Sequence, residues 1–417
     1  MYSFAIYLYM MAVGIAAIFN KRARLLAVGH RKAFFQLKRQ VKKGERYVWF
    51  HAASLGEFEQ GRPLMERVRR EHPELKILLT FFSPSGYEVR KDWAGADVIC
   101  YLPLDTHAHV QIFFHFVKPE MLFLIKYEFW QNYLKGCHKL GIPVYSVSSI
   151  FRPNQIFFRW YGMGYRKVLD KVTHFFVQNE TSRQLLATLG HTNVTVVGDT
   201  RFDRVLDIRN AAKPLPLVER FTQDAEVFVA GSSWPPDEAL FIPWFLQRKD
   251  ASPGQKLRLI IAPHQIGEHH LRAIEEALVG CRVLRFSAAT EATVSEAEVL
   301  IIDCFGLLSS IYRYGRLAMV GGGFGVGIHN VPEAAVYGIP VLIGPNNQNF
   351  REARHLLDKG ACFEVHTEED FCEIADRLMT DAAAYDAAAS AARAYIAENA
   401  GASDIIFRHV FPERENG

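Results

Sequence analysis

From Tyr47 onward one pattern repeats: a short apolar run, then a stretch whose apolar residues recur at helical spacing. Runs such as Met121 to Ile125 lack polar alternation, as strands covered on both faces of a parallel sheet do. A first series predicts strands over 47–53, 76–82, 98–103, 120–126, 143–149, 174–179 and 194–198. Helical stretches intervene, among them Glu59 to Glu71 and Thr181 to Leu189, the second stopped by Gly190. After Asp203 the pattern lapses, and Pro214 and Pro216 mark a connection. A second series predicts strands over 226–233, 257–263, 281–286, 298–304, 316–322 and 340–344. The alanine-rich stretch Asp381 to Asn399 reads as a helix across the lobe junction.

The expected fold is therefore α/β, with two Rossmann-like doubly wound lobes facing a central cleft. The expected divisions are an N-terminal membrane anchor and basic flank (1–45), an N-terminal Rossmann-like lobe (46–205) and a linker (206–222). A C-terminal Rossmann-like lobe (223–380) and a C-terminal helical segment (381–417) follow. A chain of 417 residues suits two cores better than one.

Composition changes this picture at one end only. Apolar residues make up 49% and charged residues 22%, and the net charge of +3 does not point to nucleic acid. Residues Tyr2 to Phe19 carry no charge, and at 1.5 Å per residue they reach about 27 Å, against a hydrocarbon core of about 30 Å. This predicts an N-terminal membrane-anchor helix. It precedes the first predicted strand by nearly thirty residues and so need not belong to either core. Lys21, Arg22, Arg24, Arg31 and Lys32 follow, which leaves the rest cytoplasmic. Between Lys21 and Arg46 there are ten Lys/Arg and one acid, Glu45. The six cysteines never approach C-x-x-C spacing, so neither zinc nor a disulfide framework is expected. Asp105-x-His107-x-His109 reads as a polar turn after a strand, not as a metal cluster.

Ligands of open α/β sheets bind beyond the carboxyl ends of the strands, which selects the candidate chemistry. Strand 47–53 runs into Ser54-Leu55-Gly56-Glu57, a tight loop with a carboxylate at a helix start. That carboxylate fits a proton acceptor and equally a complement to the helix dipole. Strand 120–126 runs into Lys126-Tyr127-Glu128-Phe129-Trp130. Aromatics beside Glu128 fit a sugar face or lobe packing. The strongest local signal runs from Val320 through Gly321, Gly322, Gly323, Gly325 and Gly327 to His329-Asn330-Val331-Pro332-Glu333. Its glycine N–H groups and the helix start point to a bound phosphate, while Asn330 and Glu333 read as a capping-box-like pair. Ser232-Ser233-Trp234, Pro263-His264-Gln265 and Gly344 to Phe350, with Asn349, form further strand-end loops on the same lobe.

Taken in order, these motifs identify a resemblance. His51 to Glu57, Phe82-Ser83-Pro84-Ser85-Gly86, Tyr101 to Asp105, Glu128-Phe129-Trp130, Gln178-Asn179-Glu180, Arg201-Phe202-Asp203 and His329 to Glu333 resemble the 3-deoxy-D-manno-octulosonic acid (Kdo) transferases of Gram-negative bacteria. The likeness covers most of the chain. It implies a GT-B fold, CMP-Kdo as donor, a lipid A precursor of the lipid IVA type as acceptor, and inversion at the sugar. Metal and cofactor are not required. It implies Glu57 as general base, Glu128 as a second essential acid, and His329, Asn330 and Glu333 on the nucleotide. Ser232, Ser233, His264, Gly306, Gly321 to Gly323 and Asn349 fall on the donor side, and Ser54, Gly56, Ser83 and Arg201 on the acceptor side. The implied setting is the inner (cytoplasmic) membrane, with membrane lipids as neighbours and no nucleic acid. Three segments depart from the family pattern: Leu307 follows Gly306 where Glu is frequent, Pro263-His264-Gln265 lacks an arginine, and Ser148-Ser149-Ile150 replaces Asn-Ala-Arg. The rival readings are another GT-B transferase using a UDP-sugar on a lipid-linked acceptor, and a non-catalytic membrane-tethered sugar-binding protein.

Overall fold

The computed structural model describes residues 2–249, 256–325 and 327–412. The chain divides into two compact units, one of Met1–Arg204 with Ala400–Gly417, the other of Val205–Asn399.

Unit 1 holds seven parallel strands: β1 (Arg46–Ala52), β2 (Leu75–Phe81), β3 (Val98–Tyr101), β4 (Met121–Ile125), β5 (Val144–Ser149), β6 (His174–Val177) and β7 (Val194–Val196). Their order across the sheet is β3-β2-β1-β4-β5-β6-β7. All seven predicted strands are present, displaced by few residues. The direction of winding reverses between β1 and β4, which pair directly. That topological switch point is where the carboxyl ends of an α/β sheet leave a crevice for ligand.

Two apolar layers sandwich the sheet. One is built on Trp49, Phe113 and Tyr133, whose rings meet edge-on or tilted at 4.7–5.4 Å. The other, built on Phe50, Phe58 and Phe123, also takes in Ile406 and Phe407 of the helix Ala402–Val410. Asp203 fixes this returning tail by accepting from the Gly401 and Ser403 N–H groups at 2.5 and 2.6 Å. The Arg201-Phe202-Asp203 motif thus has a structural task.

The N-terminal segment is not one long helix. Helix α1 (Tyr2–Ala16) has 15 residues, about 22 Å at 1.5 Å each, and is followed by a turn and by α2 (Lys21–Gln40). Among the described residues no helix is long and apolar enough to cross a membrane. The break is capped on both sides. Arg24 donates to the Ala17 and Ile18 carbonyls, and the Asn20 side chain accepts from the Arg22 and Ala23 N–H groups. Helix α1 also lies on the lobe instead of standing apart from it. Tyr2 stacks on Tyr165 and Tyr9 on Phe82, and Asn132 donates to the Ser3 hydroxyl. The expectation of a segment independent of either core is corrected accordingly. Helix α2 buries Leu26, Ala33 and Leu37 and turns its Lys and Arg residues outward.

Unit 2 holds β8 (Ala225–Ser233), β9 (Lys256–Pro263), β10 (Val283–Arg285), β11 (Val299–Ile301), β12 (Leu317–Val320), β13 (Val341–Ile343) and β14 (Cys362–Glu364). Their order is β10-β11-β9-β8-β12-β13-β14, all parallel, with the reversal between β8 and β12. The sequence pattern missed β14, an edge strand of three residues. It also placed a linker at 206–222. Helices Arg201–Ala211 and Pro216–Thr222 occupy that stretch instead, the second burying Val218 and Phe221. Pro216 sits in the first turn, where its missing N–H costs nothing. The alanine-rich helix Ala382–Asn399 belongs to unit 2.

Candidate active site

Both sequence-predicted carboxylates of unit 1 lie at its switch point, Glu57 after β1 and Glu128 after β4. Helix α3 (Leu55–Glu71) carries Glu57 in its first turn, 7% exposed. The Ala53 N–H donates to Glu57 Oε2 at 2.5 Å. Burial raises the Glu57 carboxyl above its usual range, opposed by that N–H and by the Lys126 ammonium. Glu128 is pushed up to about 7, first by burial and then by the negative charge of Glu57, with Trp130 opposing. Two carboxylates close enough to feel one another, only one with a cation among its perturbers, divide their protonation: Glu57 is the better anion and Glu128 the better acid.

A buried chain of hydrogen bonds aims the tryptophan beside them. Trp130 Nε1 donates to His51 Nε2 at 3.1 Å, and His51 Nδ1 lies 2.9 Å from Thr80 Oγ1, which also accepts from Trp49 Nε1. Because Trp130 must donate, the proton of His51 is assigned to Nδ1. Burial pushes His51 down to about 3, so the ring is neutral. Sequence reading quoted His51, Trp130 and Lys126 without giving them roles. Lys126 adopts a left-handed backbone at φ 63° straight after β4. Its place at a strand's carboxyl end is the signal that marks it.

The remaining acceptor-side residues separate. Ser54 starts α3 without a side-chain cap bond, and Gly56 faces open space. Ser83 caps α4 (Pro84–Arg90), its hydroxyl accepting from Ser85 N–H at 3.3 Å, while its own N–H donates to Ala53 O at 2.8 Å. Arg201 is paired with buried Asp199 at 2.8 Å, a structural ion pair also bound by Gln60 and Gln178. Asp105 accepts from the Asn132 and Tyr133 N–H groups at the start of the helix Gln131–Leu140. That is the capping task of a polar turn. A cavity of about 330 Å³ opens beside Glu128 and Trp130.

In unit 2 the switch point gathers the loops after β8, β9, β12 and β13. Trp234, His264 and His329 stack in series, with centroids 4.7 and 4.4 Å apart, and burial lowers His329. His264 N–H donates to Ser233 O at 2.9 Å. The glycine loop differs from expectation. Gly321 N–H donates to Gly231 O, Gly322 N–H to Asp237 Oδ2, and Gly325 and Gly327 N–H to Gly322 O. These four amides are spent inside the protein and form no free anion cradle. The glycines serve shape: Gly322 holds φ at 94°, and a Cβ on Gly323 would meet the Gly344 backbone at 2.6 Å.

The predicted capping box is also absent. Val331, not Asn330, precedes the four-residue helix Pro332–Ala335, and Asn330 Nδ2 donates sideways to Glu333 Oε1 at 2.7 Å. Ser233 is buried and donates to Glu238 at 2.8 Å, so Ser232, at φ 51°, is the more accessible of the two. Gly306, at φ 91°, and Asn349 are exposed on the loops after β11 and β13. Sequence reading passed over Asp237. It is fully buried, and its Oδ2 accepts from both Trp234 and Gly322 N–H at 2.9 Å, tying two loops together. An acid three residues after Trp234 was its only sequence signal.

The family model described as 3-Deoxy-D-manno-octulosonic-acid transferase (kdotransferase) matches residues 27–204. A 3-deoxy-D-manno-octulosonic acid transferase of Aquifex aeolicus is 28% identical over 355 residues, 84% of this chain and 90% of that protein. Its counterpart from Bordetella pertussis is 28% identical over 367 residues, 85% of each. In fold, the chain is similar to the UDP-GlcNAc 2-epimerase of Neisseria meningitidis, with a TM-score of 0.57 at 14% identity, covering 87% of this chain and 99% of that one. Two parallel seven-stranded lobes make this a GT-B-like architecture. The family domain on unit 1 and the relatives spanning most of both units make the chain similar to the Kdo transferases along most of its length, and it is a glycosyltransferase.

Proposed function

We propose that the chain moves Kdo from CMP-Kdo to a lipid A precursor of the lipid IVA type, inverting the sugar, at the cytoplasmic face of the inner membrane. The observation that carries this reading is the buried carboxylate pair Glu57 and Glu128 at the switch point of unit 1. Glu57, the better anion, takes the proton from the acceptor hydroxyl as that oxygen attacks the anomeric carbon. The carbon–oxygen bond to the CMP phosphate breaks, and CMP leaves with the electron pair. The Ala53 N–H, donating to Oε2, holds the Glu57 carboxylate at the end of β1 for that transfer. Glu128, protonated near neutrality, is then an acid beside the same hydroxyl and not a second anion. Unit 2 takes the nucleotide on the Trp234–His264–His329 stack, with Ser232, Asn330 and Glu333 as polar neighbours.

The membrane setting rests on surface chemistry. Phe4, Leu8, Met11, Ile15, Ile18 and Phe19 are 46–88% exposed on and just beyond α1, and seven Lys and Arg of α2 point outward. An apolar helix lying on a lobe beside a basic one fits shallow insertion in an anionic leaflet, each basic residue adding about 1 kcal/mol. The test is a donor screen with a tetraacyl lipid A precursor as acceptor, read by product mass. Transfer from CMP-Kdo and from no UDP-sugar supports the proposal. Transfer from a UDP-sugar alone overturns it.

A further inference from the structure

Helix α1 does more than cover surface. Ile6 and Tyr9 form one wall of the cavity of about 330 Å³, whose other walls include Phe82, Leu104 and Trp130, with Glu128 also lining it. Its polar groups are muted. His30 Nδ1 bonds the Leu102 carbonyl at 2.7 Å, and burial pushes the ring down to about 4, so it is neutral. Asp105 is turned to the start of the helix Gln131–Leu140, and burial raises both lining carboxyls. Among the described residues no Lys or Arg lines the cavity. A phosphate is therefore a poor occupant and a hydrocarbon chain a good one.

We infer that α1 is part of the acceptor site: an acyl chain of the glycolipid lies in this cavity against Ile6 and Tyr9, so that its sugar hydroxyl reaches Glu128 and Glu57. This rests on the acceptor reading above. Continuity carries the choice of occupant, because an apolar cavity with Glu128 in its wall fits a molecule with a chain and a reacting hydroxyl. A free phospholipid has the chain and lacks the sugar.

The test uses the full chain in detergent, with the tetraacyl lipid A precursor and its fully deacylated, water-soluble counterpart as acceptors. Ile6→Trp fills the cavity, and Leu140→Trp, at a position 44% exposed on the same lobe and outside the cavity lining, serves as the control. Ile6→Trp should raise KM for the tetraacyl acceptor at least tenfold. It should leave kcat/KM for the deacylated acceptor and KM for CMP-Kdo within about twofold. Leu140→Trp should change none of these. Equal losses on both acceptors, or no loss on either, would overturn the inference, as would weaker binding to phosphatidylglycerol vesicles with acceptor KM unchanged. If the unaltered protein transfers Kdo to neither acceptor, the acceptor reading itself falls. Matching melting curves exclude misfolding as the cause of a loss.

Discussion

At the scale of the residue, the acid–base chemistry turns on two buried carboxyl groups, of which only Glu57 has an ammonium, that of Lys126, among its perturbers. Glu57→Gln keeps the shape and the Ala53 contact yet cannot take a proton. Turnover should fall by about 10²–10⁴, the usual contribution of a general base, with CMP-Kdo affinity unchanged. A lowered melting temperature with near-normal turnover would make Glu57 structural. Glu128 carries a separate pH signature. Its carboxyl titrates near 7 in the folded protein against 4.5 unfolded, so its stabilising contribution is whole below 4.5 and lost as pH rises through 7. At pH 8 the buried anion costs on the order of 2–3 kcal/mol. Denaturant melts of Glu128→Gln should therefore show a gain of that order at pH 8, shrinking toward pH 4.5. A gain independent of pH would contradict the burial argument. The two glutamates were legible in sequence because each follows an apolar run. The His51–Thr80–Trp49 chain that aims Trp130 was not, because it joins residues of different strands through register alone.

Among the elements, glycines proved informative for a reason other than the expected one. A strand running into five glycines reads as an anion cradle. Here the loop's close approach to the Ser232 and Gly344 backbones consumes the room, and internal acceptors consume four of its amides. Two of these bonds are invisible in sequence, because their acceptors, Asp237 and Gly231, lie far from the loop along the chain. Asp237→Ala should strand two buried N–H groups, at about 1–3 kcal/mol each, less what the buried carboxylate itself costs. Denaturant melts should show the loss, and CMP should bind at least tenfold more weakly as the Trp234 and Gly322 loops separate. Unchanged CMP affinity would remove this loop pair from the donor site. The helices show the opposite case. The apolar run from Tyr2 to Phe19 was legible as apolar, but its interruption was not. That break depends on Arg24 reaching back to carbonyls six and seven residues earlier, a contact with no repeating pattern.

At the scale of the molecule, the two-lobed division and thirteen of the fourteen strands among the described residues follow from buried parallel strands appearing as unbroken apolar runs. The missing strand and the helical connection are short, and their packing decides them. The central claim concerns which activated sugar this architecture spends on which acceptor. Among the described residues no group of three or more His, Cys, Asp or Glu is placed to hold a metal ion. The leaving CMP carries a single phosphate and asks for less charge neutralisation than a diphosphate. The most direct measurement is product mass after incubating the purified chain with CMP-Kdo and a tetraacyl lipid A precursor, in parallel with and without EDTA. The account predicts an acceptor heavier by one or more Kdo units in both samples at similar rates. An unmodified acceptor beside intact CMP-Kdo, or transfer abolished by EDTA and restored by Mg²⁺, would contradict it.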